Sequence, residues 1–238
     1  MNNWPIKDIL KEAEPFTFDA TKICPEPKNI FRVFNETKPN DIRVIIVGQD
    51  PYPQKVVDQS SPYLGQHIAT GRAFAVNEDM KLQPSLEIIM DELATNYYMD
   101  PQLEDDHLDV TLQTWQDQGI LLLNSSLTCE LFKPEGAECL MIPGTHSYYW
   151  RINLMEKLFK WMNEELGGII FVFLGKKAQY YNKFISPIRH YIINEHHPAA
   201  DVHTGTNMFR GSRTFNQINK ILTDNNGPEY AIKFLENA

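Results

Sequence analysis

Four apolar runs in this sequence each end in residues able to do chemistry. "IRVIIV" (42–47) leads into Gly48-Gln49-Asp50-Pro51-Tyr52-Pro53, and "ILLL" (120–123) into Asn124-Ser125-Ser126. "IIFVFL" (169–174) leads into Gly175-Lys176-Lys177, and "HYIIN" (190–194) into Glu195-His196-His197-Pro198. If these runs are strands, a carboxylate, an amide, a cationic loop and an imidazole share one edge. A lone carboxylate opposite a lone imidazole suits general-base, electrostatic or leaving-group work. Hydrolysis of a glycosidic bond fits, because its oxocarbenium-like transition state is stabilised by a fixed carboxylate. Other chemistries fit poorly. Ser125-Ser126 lacks the glycines of a nucleophile elbow. There is no H-x-E with a later P-C-x-x-C for a zinc deaminase, and no P-loop. His196, His197 and His203 are poor metal ligands, since adjacent histidines before a proline give poor bidentate geometry. No metal and no cofactor is expected.

Each residue also has a plainer reading. Asp50 before Pro51 suits the start of a turn. Asn124 suits the cap of a turn after its strand. His197 before Pro198 is biased to an extended backbone and suits a satisfied surface histidine. Phe74, in "GRAFAV", suits a core position. What favours a site is that four separate strand ends carry functional types together.

The elements that must hold these residues follow from the patterning. The four runs are near-continuous in apolar residues rather than alternating, as expected of parallel strands covered on both faces. Between them lie helical spacings: Leu86, Ile89, Met90, Leu93 and Tyr97; then Leu154, Leu158, Met162 and Leu166; then Phe215, Ile218 and Leu222. Strand and helix alternate, which predicts an α/β fold with right-handed crossovers. The expectation is a single domain over 1–238, with a central four-stranded parallel sheet flanked by helices on both faces. Residues 1–40 form an N-terminal helical segment without motifs. In such a sheet the carboxyl ends of the strands line the ligand crevice.

Composition bounds the rest. The 238 residues are 42% apolar, enough for a sizeable core. No apolar run reaches the length of a membrane span, and the N-terminus does not read as a signal peptide. Three cysteines, Cys24, Cys129 and Cys139, are widely spaced with no CxxC pair, which predicts free thiols in a reducing compartment. The compartment expected is the cytoplasm, the nucleus in a eukaryote, or the host cell for a viral chain. The formal charge of -9 argues against a polyanionic partner. Its distribution argues otherwise. Asp100 to Asp117 holds six acids and no Lys or Arg, whereas Lys176 to Lys220 holds seven Lys or Arg, two acids and four histidines. The plain reading of such a run is a solvated face; the functional one is a local surface for nucleic acid.

Taken together, these segments resemble the family 1 uracil-DNA glycosylases. "GQDPYP" resembles that family's water-activating loop, usually GQDPYH, and "GRAFAV" its uracil-stacking segment. "LQPSLEII" resembles its phosphate-gripping loop, and "LQTWQDQGILLLNSSLT" the stretch ending in the asparagine that reads uracil. "FVFLGKKAQ" resembles its Gly-Ser loop, "HHPAA" its minor-groove loop, and "FRGSRTFNQINKIL" the helix that follows. The blocks run in family order from Ile42 to Leu222. The resemblance implies excision of uracil from DNA by base flipping, leaving an abasic site. It makes Asp50 and His197 the catalytic pair: Asp50 for water and the sugar cation, His197 as a neutral donor to uracil O2. It makes Gln49, Tyr52, Phe74 and Asn124 the uracil contacts. Tyr52 would exclude a thymine methyl, and Asn124 would reject cytosine by leaving polar groups unpaired. Pro84, Ser85, Gly175, Lys176, Pro198, Ala199, Val202, Ser212 and Arg213 fall on the DNA-contacting segments.

Three departures stand out. Pro53 replaces the usual His. The stretch "QKVVDQSSPYLGQHIAT" lengthens the path from Asp50 to Phe74. Asp201 stands where the intercalating leucine would sit, in a slightly longer segment that offers Val202 or Met208 as a shifted wedge. "DPYP", "HPAA" and "LGK" resemble the poxvirus branch, in which the glycosylase also serves the polymerase processivity machinery. The partners implied are uracil-containing DNA, single- or double-stranded, and a proteinaceous inhibitor or replication protein, with no membrane. The alternative function is a DNA-binding replication scaffold with weak or lost glycosylase activity.

Overall fold

In the computed structural model, which describes residues 2–78, 80–99, 109–131 and 144–235, the four apolar runs become one parallel sheet. Cys139 and residues 100–108 of the acidic run lie outside the described residues. In chain order the strands are β1 (Ile23–Cys24), β2 (Val44–Gly48), β3 (Ile120–Asn124), β4 (Cys129–Glu130), β5 (Ile170–Leu174) and β6 (Tyr191–Glu195). The main sheet has the order β3-β2-β5-β6, and every neighbour in it is parallel. β1 and β4 form a separate antiparallel pair, too short to be read from the sequence.

The helices are α1 (Ile6–Leu10), α2 (Arg32–Glu36), α3 (Pro84–Glu92), α4 (Gln113–Asp117), α5 (Ser147–Trp150), α6 (Glu156–Glu165), α7 (Lys176–Gln179), α8 (Ala199–Thr204) and α9 (Thr214–Asn226). α3 begins with Pro84, whose fixed φ and missing N–H suit a first helical turn. Its helical pattern runs on to Tyr97 through a π turn at Leu93–Tyr97.

Period-two geometry explains the two buried layers. Val44, Ile46, Leu122 and Val172 face Leu86, Ile89, Phe215 and Ile218 of α3 and α9. Ile45, Val47, Leu123 and Phe173 face Phe34, Leu154, Leu158 and Phe159 on the other side. β2, β3 and β5 are buried throughout, which is why their runs carry no polar alternation, whereas the edge strand β6, expected to be buried as well, is half-exposed and buries only Ile193. The expected start of the first strand at Ile42 is two residues early. A 3-10 turn at Pro39–Asp41 still holds Ile42, whose N–H donates to Pro39 O at 3.3 Å.

β2 connects to β3 on one side, while the chain then crosses to β5 on the other. The strand ends of β2 and β5 therefore flank the topological switch point, where an open α/β sheet leaves its crevice. The long stretch after Asp50 folds as a hairpin arm. Its strands are joined by Val56 N–H to Gln66 O at 2.9 Å and Ile68 N–H to Gln54 O at 3.1 Å, with a bridge between Lys55 and His67.

Candidate active site

Gly48 closes β2 and makes the crevice possible. A Cβ there would stand 2.9 Å from Asn124 Oδ1 and 3.1 Å from Phe74 Cζ. Only a glycine lets both side chains crowd the strand end. Beyond it, the chain is stitched to the end of β3: Gln49 O accepts from Ser126 N–H at 3.0 Å and from Ser125 Oγ at 3.1 Å.

The two oxygens of Asp50 differ. Oδ2 accepts from Gln49 Nε2 at 2.7 Å and lies 3.9 Å from Lys177 Nζ. Oδ1 is buried with no hydrogen-bond partner among the described residues. Burial pushes the carboxyl above its ordinary value, and the Gln49 amide and the Lys177 charge pull it back. A carboxylate with one oxygen satisfied and the other bare suits a water or a developing cation.

Across the pocket stands His197. Its Nδ1 accepts from Ala199 N–H at 3.2 Å. A backbone N–H can only donate, so Nδ1 is unprotonated and the neutral ring carries its proton on Nε2. Burial, with a smaller contribution from His203, lowers the ring's pKa to about 4. His197 is thus a neutral Nε2–H donor at physiological pH. Gly175, at φ 85°, lets this imidazole approach: a Cβ on it would meet His197 Cβ at 3.0 Å.

Phe74 is held at φ 67°, a left-handed conformation costly for a bulky side chain. Tyr52 Oη donates to Phe74 O at 3.1 Å, which ties the two rings' elements together. Burial raises the Tyr52 phenol, so it stays neutral. The Phe74 and His197 rings sit 5.7 Å apart, tilted by 42°. The buried Asn124 side chain takes no hydrogen bond from other described residues, so its amide is available to a ligand edge. Asp50, Tyr52, Phe74, Ser85, Asn124 and His197 line one narrow cavity with space of about 30 Å³ for a water-sized sphere.

Sequence reasoning missed what stiffens this loop from behind. Cys24 Sγ donates to Tyr52 O at 2.7 Å, and Cys129 Sγ to Pro51 O at 3.3 Å. Both thiols are free, buried and paired in register across β1 and β4. Arg72 was missed as well. It lines the cavity with its guanidinium held by Gln116 Oε1 at 2.7 Å and Glu36 Oε2 at 2.9 Å.

Of the residues expected on DNA-contacting segments, Ser85 alone lines the cavity. Pro84 and Ser85 open α3, and Ser85 is buried in the cavity wall. Lys176 is exposed at the start of α7, directly after Gly175. Pro198 precedes α8, which opens with Ala199 and carries Val202, 51% exposed. Ser212 Oγ meets Thr214 Oγ1 at 2.8 Å, and Arg213 turns the chain at φ 55° into α9.

Asp201 points inward. Its carboxylate accepts from the N–H groups of Met208 at 2.8 Å, Phe209 at 2.7 Å and Arg210 at 3.0 Å. Asp201 is therefore a buried loop anchor. Glu92 does the same work one turn further on, accepting from Gly211 N–H at 2.5 Å and Arg213 N–H at 2.7 Å. The anchoring role of each carboxylate is visible only once the chain is folded.

A family model described as "Uracil DNA glycosylase superfamily" matches residues 34–223. A uracil-DNA glycosylase of Borrelia hermsii is 32% identical over 205 residues, covering 86% of this chain and 80% of its own. One of Vibrio campbellii is 32% identical over 218 residues, covering 90% and 84%. Among solved structures, mimivirus uracil-DNA glycosylase superposes with a TM-score of 0.71 at 26% identity, covering 87% of this chain and 73% of that one. A substituted mimivirus UNG in complex with UGI gives 0.73 at 25% identity, covering 90% and 76%.

Proposed function

The chain belongs to the uracil-DNA glycosylase superfamily, and from that premise we infer how its pocket acts. It is a uracil-DNA glycosylase, a hydrolase of base excision repair acting on the N-glycosidic bond of deoxyuridine in DNA. The nucleotide leaves the stack, at a cost of a few kcal/mol, and its base enters the pocket. Phe74 stacks on the uracil, Asn124 pairs with its polar edge, and Tyr52 fills the space a thymine methyl would need. As the C1′–N1 bond breaks, its electron pair passes to the base. His197 Nε2–H donates to the uracil O2 that gains this charge. Asp50 Oδ1 faces the sugar cation and holds the water that adds to C1′. Gln49 fixes the other carboxylate oxygen.

One observation carries this assignment. A buried carboxylate oxygen without a partner and a neutral imidazole of defined tautomer line the same cavity. The test is uracil release from a single-stranded oligonucleotide containing one deoxyuridine, in EDTA, beside a thymine control. Wild type should release uracil and spare thymine. Asp50→Asn should lose about 10²- to 10⁴-fold in rate. Release by Asp50→Asn at the wild-type rate would sink the assignment.

DNA phosphates are held by the loops of Pro84 and Ser85, Gly175 and Lys176, Pro198 and Ala199, and Ser212 and Arg213. In duplex DNA, exposed Val202 and Met208 take the place of the absent leucine. The partners are uracil-containing DNA and a proteinaceous inhibitor of the kind bound to the mimivirus enzyme. No helix among the described residues is long and apolar enough to cross a membrane. The working compartment is the cytoplasm, the nucleus in a eukaryote, or the host cell for a virus.

A further inference from the structure

Pro53, two residues after Pro51 in the loop that follows Asp50, offers neither charge nor a hydrogen-bond donor. A cation reaches the same loop from another element. Lys177, the second residue of α7, brings its ammonium to 3.9 Å from Asp50 Oδ2, while the Asp50 side chain is only 10% exposed. The two groups come from the ends of β2 and β5, the strands that flank the switch point.

We propose that Lys177 is a positioning residue for uracil excision: it holds the Asp50 carboxylate in its charged form and keeps Oδ2 turned from the pocket, leaving Oδ1 for water and the sugar cation. This rests on the reading of Asp50 given above. The geometry supports it from both oxygens. Oδ2 is occupied on one side by the Gln49 amide at 2.7 Å and faces Lys177 on the other. Oδ1 is the one without a partner among the described residues.

The other charged or titratable groups near Asp50 do not replace this cation. Cys129, behind Pro51, is held protonated by its Cys24 neighbour and by burial. His197, across the cavity, stays neutral at physiological pH. Tyr52 is neutral for the same reason. Arg72 lines the cavity, but its guanidinium is engaged by Glu36, Gln116 and the Thr111 carbonyl. Among the described residues, Lys177 is the cation in ion-pair range of Asp50. Burial alone would favour the protonated acid, which can neither stabilise a cation nor orient water as an acceptor.

The arrangement carries an internal cost. A lysine near the site also repels the sugar cation, but it sits behind Oδ2 while the cation forms before Oδ1. The net benefit is therefore largest at acidic pH, where the carboxylate would otherwise protonate.

The experiment compares wild type, Lys177→Met and Lys177→Arg on single-stranded deoxyuridine DNA from pH 4 to 9. The acid limb of kcat/KM should move up by about one pH unit in Lys177→Met. It should return to its wild-type position in Lys177→Arg, and the alkaline plateau should be nearly unchanged. In parallel, the Asp50 carboxyl resonance, assigned by its loss in Asp50→Asn, should titrate about one unit higher in Lys177→Met by ¹³C NMR. That second reading needs no activity. If wild type proves inactive but the resonance shifts, the charge-holding role stands and the glycosylase reading falls. If the resonance and the acid limb stay in place, and Lys177→Met instead raises KM with a weaker salt dependence, the residue is a phosphate contact and the proposal is overturned.

Discussion

Gly175 packs directly against His197, so closely that a Cβ on the glycine would meet the histidine Cβ at 3.0 Å. The loop at the end of β5 thereby sets how far the imidazole at the end of β6 can lean into the pocket. Gly175→Ala adds this clash to a backbone at φ 85°. It should cost about 1–2 kcal/mol of stability. It should also cut uracil release by more than the fraction of protein unfolded. A thermal melt beside a rate on single-stranded substrate separates the two effects.

His197 should remain neutral with its proton on Nε2 through the physiological range. Its folded pKa is about 4, below the ordinary 6.5. The unfolded chain therefore binds this proton first, and the stability His197 contributes is full above about 6.5 and declines as pH falls toward 4. ¹⁵N NMR of the labelled imidazole should show an Nε2–H tautomer and no titration between pH 5 and 8. A midpoint near 6.5 would contradict the donor role.

Val202→Ala and Met208→Ala together should lower activity on duplex uracil DNA by about tenfold, the effect of roughly 1.4 kcal/mol of lost apolar contact. Activity on single strands should persist, since no stack has to be filled there. Equal rates for variant and wild type on duplex substrate would remove both residues from the wedge role.

Asp201→Ala leaves three backbone N–H groups without their acceptor. The expected loss is about 2–4 kcal/mol, measured by urea denaturation. Asp201→Leu, which puts an apolar side chain in place of the acceptor, should destabilise to a similar degree rather than improve duplex activity. A more active and equally stable Asp201→Leu would mean that the carboxylate does not anchor this loop.

DNA affinity should fall steeply with salt, because binding depends on a few cations set in an acidic chain. With three or four phosphate contacts, log K should fall against log salt with a slope of roughly −2 to −3 on single strands. Lys176→Ala should make that slope shallower by about 0.7.

The sheet was legible because its signal is local. Three unbroken apolar runs become strands buried on both faces and a fourth, shorter one the half-exposed edge strand, with Asp50, Asn124, Gly175 and His197 at their ends. The strand order was not legible, nor was the β1–β4 pair, since two residues carry no period. The inward turn of Asp201 was equally hidden. Its partners are backbone N–H groups of residues 208–210, and a sequence records nothing about those. The contact between Lys177 and Asp50 joins positions far apart in the chain and depends on β2 lying beside β5. Likewise, Cys24 and Cys129 read as unrelated thiols until their strands pair behind Pro51 and Tyr52.

The arm between Gln54 and Ile68 is a hairpin whose two sides run together, closed at its root by the Ile68 N–H to Gln54 O bond of 3.1 Å. Such a segment is a seam. Because closure entropy grows only slowly with loop length, its fifteen residues can be shortened, exchanged or extended for roughly 1 kcal/mol. Its root, meanwhile, touches the same loop that holds Tyr52. A fluorophore or a short tag mounted at its tip, near the exposed Leu64, would stay outside the core. A docking feature could be grafted at the same seam while the strand ends that do the chemistry stay as they are.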